Sequence, residues 1–251
     1  NYDLEAEVRE ARLLLERGAE ALILVGDNHR PQLYEMLDQF GAPFVCTYVS
    51  HPKGSRPTVG FDNAAAAAKL AQHLVHLGHR TIGVISGITK DNDRTTERLE
   101  GVRAELTRHG IALPPSMVTE RPYSISDGRR ACALLLARNA PRPTAILCGN
   151  DVLALGALAE CHARALRVPD DISIVGFDNL ELSMHAHPPL TTIDVPAEEM
   201  GIAAAGYILG DLNGETPARH NPVEVELILR ASSAPASGTA RTGEAAAHHP
   251  S

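Results

Sequence analysis

The stretch PTAILCGNDVLALGAL at residues 143–158 decides the fold class, because an apolar run of strand length leads through three polar residues into a helix-forming segment. Short apolar runs bounded by turn residues are typical of buried parallel strands. A strand with a polar tip recurs at TVGFDN (58–63), RTIGVIS (80–86) and DISIVGFDN (171–179). Because such strands alternate with helical segments, we predict an α/β protein with mainly parallel sheets flanked by helices.

The number of predicted strands, about nine, exceeds one comfortable doubly wound sheet for this length, so we expect two α/β lobes. The chain opens on a predicted helix at residues 3–17, and Asn1 stands where an initiator Met is expected. We therefore expect a longer protein. Residues 234–251 have no apolar period and are rich in small residues, which predicts a disordered tail.

Composition and charge exclude several classes of protein. With 23 Lys and Arg against 31 Asp and Glu, the net charge is −8, which is unfavourable for direct binding to nucleic-acid phosphates. No apolar run reaches the length of a membrane span, so we expect no membrane partner. The 4 cysteines form no CxxC pair and lie mostly in apolar segments. They predict a reducing compartment, and we expect a cytoplasmic protein.

The chain carries none of the common signatures of catalysis or cofactor binding. It has no GxxxxGK[ST] loop and no GxGxxG, HExxH or GxSxG motif. His185 and His187 are the closest internal histidine pair, but no cysteine or third ligand lies near them in sequence, so we interpret them as surface residues. We predict no enzyme, no cofactor and no metal site.

Polar residues at the ends of the predicted strands are the best candidates for a binding site. In open α/β sheets, ligands bind beyond the carboxyl ends of the strands. Carboxylates, amides and a guanidinium at such ends suit a polyol or another small polar metabolite. The candidates, with one aromatic residue in a strand-to-helix loop, are Asp62, Arg98, Tyr123, Asn150, Asp151 and Asp178.

Each candidate has a structural alternative. Asp62 and Asp151 stand at helix starts, where capping alone explains an aspartate, whereas Asn150 is not needed for that cap. Asp178 precedes no strong helix, so capping explains it poorly. Arg98 could pair with Glu97 on the surface instead. Tyr123 could stack on a sugar face or simply fill its loop.

Five segments follow one another in a recognisable order: HLVHLGHRTIGVISG (73–87), RLEGVRAEL (98–106), RPTAILCGNDVLALGAL (142–158), LRVPDDISIVGFDN (166–179) and PPLTTIDVPAEEMG (188–201). In this order and at this spacing they resemble the effector-binding core of the lac-repressor family of bacterial transcription regulators. Together with RGAEALILVG near the start, the similarity extends from about residue 5 to residue 233.

The resemblance implies a two-lobed, type I periplasmic-binding-protein-like fold with three passages between lobes, near Gly78, Pro196 and Pro222. Residues 1–77 and 196–221 would form the N-terminal lobe, and residues 78–195 and 222–233 the C-terminal lobe. It also implies a small, sugar-like effector in the cleft, a homodimer, and operator DNA bound by an amino-terminal helix-turn-helix. Arg98, Asn150, Asp178 and Tyr123 match effector-contacting positions of the family, and Asp62 and Asp151 lie beside such positions.

The sequence departs from the family pattern at its start, where the helix-turn-helix and the first strand–helix–strand unit are missing. On this interpretation the core senses a ligand and changes the operator affinity of the head. Two alternatives remain. A periplasmic sugar-binding protein for uptake shares the fold. A sugar-modifying enzyme would need a catalytic pair, for which Asp178 with Asp151 is the candidate.

Overall fold

The structure is a computed structural model that describes residues 3–52, 54–137 and 141–236. In chain order the elements are α1 (Leu4–Glu16), β1 (Leu22–Val25), α2 (Pro31–Phe40), β2 (Phe44–Thr47), β3 (Thr58–Gly60), α3 (Asn63–His76), β4 (Ile82–Ser86), α4 (Asp93–Arg108), β5 (Val118–Glu120), α5 (Ile125–Leu136), β6 (Ala145–Cys148), α6 (Asp151–Ala163), β7 (Ser173–Val175), α7 (Glu181–His185), β8 (Thr192–Asp194), α8 (Ala197–Leu212), β9 (His220–Pro222) and β10 (Glu226–Ile228). The predicted α/β class with mainly parallel sheets is confirmed.

Two parallel sheets carry the fold. The first sheet has the order β1-β2-β3-β9, and α8 packs against β2 and β3. The second sheet has the order β5-β4-β6-β7, and α5 and α6 pack closely together beside it. A short antiparallel pair, β8 with β10, continues from the second sheet through a bridge between Val175 and Thr191. Because every strand of a parallel sheet ends at the same edge, each sheet gathers its polar tips at one edge.

Helix α3 packs with the second sheet rather than the first. Its Leu70 and Leu74 are fully buried in a core cluster that includes Val102 and Leu106 of α4. The two helices approach so closely that a Cβ at Gly101 would lie 2.1 Å from the carbonyl oxygen of Ala64.

The first passage between the lobes therefore lies between β3 and α3, and this differs from the predicted passage near Gly78. Residues 63–77 belong by packing to the second lobe, because the helix contact at Gly101 fixes α3 against α4. The other two passages lie between Asp194 and Ala197 and between Pro222 and Glu226.

The predicted tail begins too early, because residues 234–236 are hydrogen-bonded to the second lobe. The Ala234 carbonyl oxygen lies 3.1 Å from His79 Nε2, and the Ala236 N–H donates to the Leu77 carbonyl at 2.8 Å. The remainder of the predicted tail, residues 237–251, lies outside the described residues. Within the described part of the chain, no helix combines the length and the apolar character that crossing a membrane requires.

Candidate functional site

A cavity of about 410 Å³ lies where strand ends of the two sheets face each other. Val25 and Tyr48 enter it from the first sheet, and the other wall residues follow strands of the second sheet. Those residues are Asn92, Arg94, Thr95, Arg98, Tyr123, Asn150 and Asp178. A larger surface depression beside α2 and α8 contains none of the predicted site residues. Four of the six predicted residues thus meet in one cavity.

Arg98 is held at the centre of the cavity by contacts from several directions. Its Nε donates to Asn63 Oδ1 at 2.8 Å, and one terminal nitrogen donates to the Gly149 carbonyl at 3.1 Å. The guanidinium carbon lies 3.7 Å from the centre of the Phe177 ring, a cation–π distance. The alternative of a surface pair with Glu97 does not describe this inward-facing arginine, since Glu97 lies 3.8 Å from His51 instead.

Asp178 pairs with Arg98 in the cavity wall, with 3.7 Å between its Oδ1 and an Arg98 terminal nitrogen. Its side chain is 29% exposed. Burial raises the pKa of Asp178 to about 6, because the Arg98 charge offsets only part of the desolvation of the carboxylate. Its φ of 106° and that of Tyr48, 62°, lie in the left-handed region that non-glycine residues rarely adopt. Such backbone outliers concentrate at functional sites.

Asn150 and Asp151 do not divide their roles as the sequence suggested, because Asn150 rather than Asp151 caps α6. Asn150 caps α6, since its Oδ1 accepts the Leu153 N–H at 2.9 Å, and it also lines the cavity. Its Oδ1 is therefore engaged by the cap, and its Nδ2 is a donor that can serve a ligand.

Asp151 is fully buried and is not part of the cavity wall, contrary to its prediction as a binding residue. Its carboxylate accepts hydrogen bonds from Ser183 Oγ at 2.6 Å, Thr192 Oγ1 at 2.7 Å and the Leu180 N–H at 2.8 Å. Burial raises the pKa of Asp151, and these donors oppose the rise. It joins α6 to α7 and β8, so Asp151 and Asp178 do not face the cavity as a pair.

Asp62 is also outside the cavity wall, and its side chain caps α3 by accepting the Ala65 N–H at 2.8 Å. The residue that acts on the site from this strand tip is its neighbour Asn63, which is fully buried. Asn63 Nδ2 donates to the Tyr48 carbonyl at 2.8 Å while its Oδ1 accepts from Arg98. Asn63 thereby ties Arg98 to the first sheet.

Tyr123 lies in the cavity wall, and its hydroxyl is 2.7 Å from Thr95 Oγ1. Its ring also packs over Gly87, where a Cβ would collide with the tyrosine ring. The residue therefore both packs within its loop and belongs to the cavity wall, so the two alternatives for Tyr123 are compatible.

The wall also contains residues that are not among the six predicted candidates. Tyr48 follows β2 without any polar pattern, and Asn92 and Arg94 belong to the start of α4. The N-cap position of Asn92, two residues before Arg94, was the available signal for these two.

A direct contact joins the two sheets beside the cavity. The Asp93 carboxylate, at the start of α4, accepts the N–H groups of Asp27 and Asn28 in the loop after β1. The Gly26 position leaves no room for a Cβ, which would collide with Asp93 and Arg94. The cavity therefore has one side on which the two lobes already touch.

Comparison with known sequences agrees with this architecture. A family model described as periplasmic binding protein-like domain matches residues 71–233. The chain is 36% identical over 191 residues to the HTH-type transcriptional repressor CytR of Escherichia coli K12, covering 76% of this chain and 55% of CytR. It is 33% identical over 237 residues to the HTH-type transcriptional regulator MalR of Streptomyces coelicolor, covering 90% of this chain and 67% of MalR. The chain thus spans between about half and two thirds of these relatives.

Solved structures show the same similarity. The transcription regulator GntR from Chromobacterium violaceum superposes with a TM-score of 0.85 at 30% identity, covering 92% of this chain and 85% of that one. A transcriptional regulator CelR–cellobiose complex superposes with a TM-score of 0.81 at 30% identity, covering 90% and 69%. These proteins are regulators, so the alternative of a periplasmic uptake protein is not favoured. The chain belongs to the lac-repressor family of bacterial transcription regulators and comprises their periplasmic-binding-protein-like ligand-binding core.

Proposed function

We propose that this core binds a small polar effector, a sugar or a sugar derivative, in the cavity between the two sheets. The observation that carries the proposal is the convergence of Arg98, Asn150, Asp178 and Tyr123 on that cavity. A guanidinium, an amide and a carboxylate offer the mixture of donors and acceptors that sugar hydroxyls need, and a tyrosine ring offers a face for stacking. The related CelR structure contains cellobiose, which supports the sugar class.

Effector binding would change operator affinity through the relative orientation of the lobes. The cavity walls come from both sheets, so a ligand that touches both sides stabilises one arrangement over the other. In the whole protein, which we propose to be a cytoplasmic homodimeric repressor, an amino-terminal helix-turn-helix would bind the operator. The acidic balance of the core, −8, fits a division in which the cations for DNA belong to that head. No catalytic step is part of this function.

The binding proposal is tested by titration calorimetry of the chain with neutral mono- and disaccharides, cellobiose included. We expect one or more of them to bind, and we expect Arg98→Gln to weaken that binding by about 10- to 100-fold, the range for a hydrogen bond to a charged group. Arg130→Gln is the matched control, since Arg130 is exposed and pairs with Asp127 at 3.1 Å on α5. Equal affinity in the wild type and in Arg98→Gln would contradict the assignment of the site.

The regulatory half of the proposal needs the intact regulator. Fluorescence anisotropy with DNA from upstream of its own gene, with and without the sugar found by calorimetry, measures the change in operator affinity. An operator affinity that does not respond to a sugar bound by the core would refute the coupling.

A further inference from the structure

The end of the cavity formed by the start of α4 differs in chemistry from the end at Asp178. We call it the α4 end, and it consists of Asn92, Arg94 and Thr95. It lies at the amino terminus of a helix of 16 residues, where the helix dipole favours negative charge. That feature alone is common to many helices, so the side chains decide what the α4 end can bind.

Asn92 carries a buried donor that the described residues leave without an acceptor. The residue is 2% exposed, and its Oδ1 accepts the Thr95 N–H at 3.3 Å as the N-cap of α4. This bond fixes the orientation of the amide, so Nδ2 is the remaining polar atom of the side chain. Within the described part of the chain Nδ2 meets no acceptor. Because buried donors are almost always satisfied, an acceptor from a ligand is the natural partner in a residue that lines the cavity.

The cavity wall at and beside the α4 end carries two guanidinium groups and one carboxylate. Arg94, which is 6% exposed, and Arg98 both lie in the wall, and the Asp178 carboxylate pairs with Arg98 at 3.7 Å. The neighbouring Asp93 is not part of the wall, and its carboxylate is turned toward the N–H groups of Asp27, Asn28 and Arg94. Arg94 Nη1 lies 3.6 Å from Asp93 Oδ1, which holds the guanidinium in place.

We propose that the α4 end binds an anionic group of the effector, so that the effector is an acidic sugar, either a sugar acid or a sugar phosphate. Asn92 Nδ2 and the Arg94 guanidinium donate to the carboxylate or phosphate oxygens, and Asp178 accepts from hydroxyls at the other end. Charge-assisted hydrogen bonds of this kind are stronger than those to a neutral hydroxyl. The inference rests on the proposed function, because it names the class of effector that the same cavity takes.

The test compares acidic sugars with their neutral counterparts on the same ring. Titration calorimetry of the chain uses D-glucuronate and D-glucose 6-phosphate against D-glucose, and D-galacturonate and D-galactose 6-phosphate against D-galactose. These arms separate a carboxylate from a phosphate. We expect an acidic member of at least one series to bind at least about 10-fold more tightly than its neutral counterpart. The variant Asn92→Asp keeps the cap oxygen and the size but replaces the donor with a negative charge, and it should abolish that preference.

Three other results would overturn the inference, and they can be told apart. Neutral sugars that bind as tightly as the acids would refute the anionic group while leaving the sugar-binding core intact. A preference for the acids that persists in Asn92→Asp would place the anion elsewhere in the cavity. If neither the acids, nor their counterparts, nor the neutral panel above binds at millimolar concentration, the proposed function fails and the inference with it. Circular dichroism and the melting temperature of Asn92→Asp confirm that the variant folds.

Discussion

Replacing Gly101 with alanine tests the contact that fixes α3 to the second lobe. A Cβ at this position would lie 2.1 Å from the carbonyl oxygen of Ala64 and 2.7 Å from its Cα. Both are backbone atoms of a neighbouring helix, so relief requires the helices to separate. Overpacking of this kind costs about 1–3 kcal/mol. The higher helix propensity of alanine offsets about 1 kcal/mol of this cost. A clash at the upper end of the range therefore lowers the unfolding free energy by a net of about 2 kcal/mol.

The matched control is Gly206→Ala in α8, where nothing lies within 4 Å of the added Cβ. That variant should gain up to about 1 kcal/mol from helix propensity alone. For a domain of this size each 1 kcal/mol corresponds to about 2–4 °C, so Gly101→Ala should melt about 4–8 °C below the wild type and Gly206→Ala slightly above it. Differential scanning calorimetry of the three proteins measures this. A Gly101→Ala protein that melts with the control would refute the close packing of α3 on α4.

Three further predictions concern aspartates whose roles the structure separates. The pKa of Asp178 in the folded protein is about 6, above the ordinary value of 3.8. The ionised carboxylate therefore lowers the unfolding free energy fully above pH 6, and this effect is absent below about pH 4. Asp178→Asn should therefore raise the unfolding free energy in urea at pH 7.5 by about 2 kcal/mol, and equal stability of the two proteins there would contradict the shift. Asp151→Ala leaves three donors without their acceptor and should lower the unfolding free energy in urea by about 3–5 kcal/mol. The control, Asp62→Ala, removes an exposed cap and should lower it by about 1 kcal/mol. Similar losses in the two variants would show that the buried carboxylate carries no special role. Asp93→Ala should speed hydrogen exchange, measured by NMR, at the amides of residues 27 and 28. The amide of residue 26, which is bonded within the first sheet, serves as the internal control. Unchanged rates at residues 27 and 28 would argue against the contact between the lobes.

The sequence was most informative where local chemistry alone determines structure. Asp3 caps α1, Pro31 begins α2 and Gly41 ends it in the left-handed conformation, as their residue types favour. The short elements α7 and β9 were not predicted, because α7 has only five residues and β9, with the sequence HNP, contains no apolar run. Their positions follow instead from tertiary partners, such as the pairing of β9 with β3.

Membership in a lobe could not be predicted from local pattern. The leucines of α3 recur as in any amphipathic helix, and nothing in that period says which sheet they will cover. The information lies 37 residues later, in the glycine at position 101 that permits close approach to position 64. Exact capping roles were out of reach for a similar reason: Asn150 and Asp151 are adjacent, both can cap a helix, and only the buried hydroxyls of Ser183 and Thr192 decide between them.

The contrast between local sequence signals and tertiary contacts also explains which cavity residues were predicted. Asp178 carries a charge that helix capping explains poorly, and Arg98 was a candidate although a surface pair with Glu97 was its alternative; both were found because their charged side chains follow predicted strand ends. Tyr48 gave no such signal, yet it is the aromatic residue that the first sheet contributes to the wall. The Tyr48 carbonyl accepts from Asn63 Nδ2, and Asn63 Oδ1 accepts from Arg98. One buried amide therefore positions both the strained turn at Tyr48 and the Arg98 guanidinium. A ligand that contacts both Tyr48 and Arg98 would therefore act beside the passage between β3 and α3, one of the three segments at which a change in lobe orientation has to be absorbed.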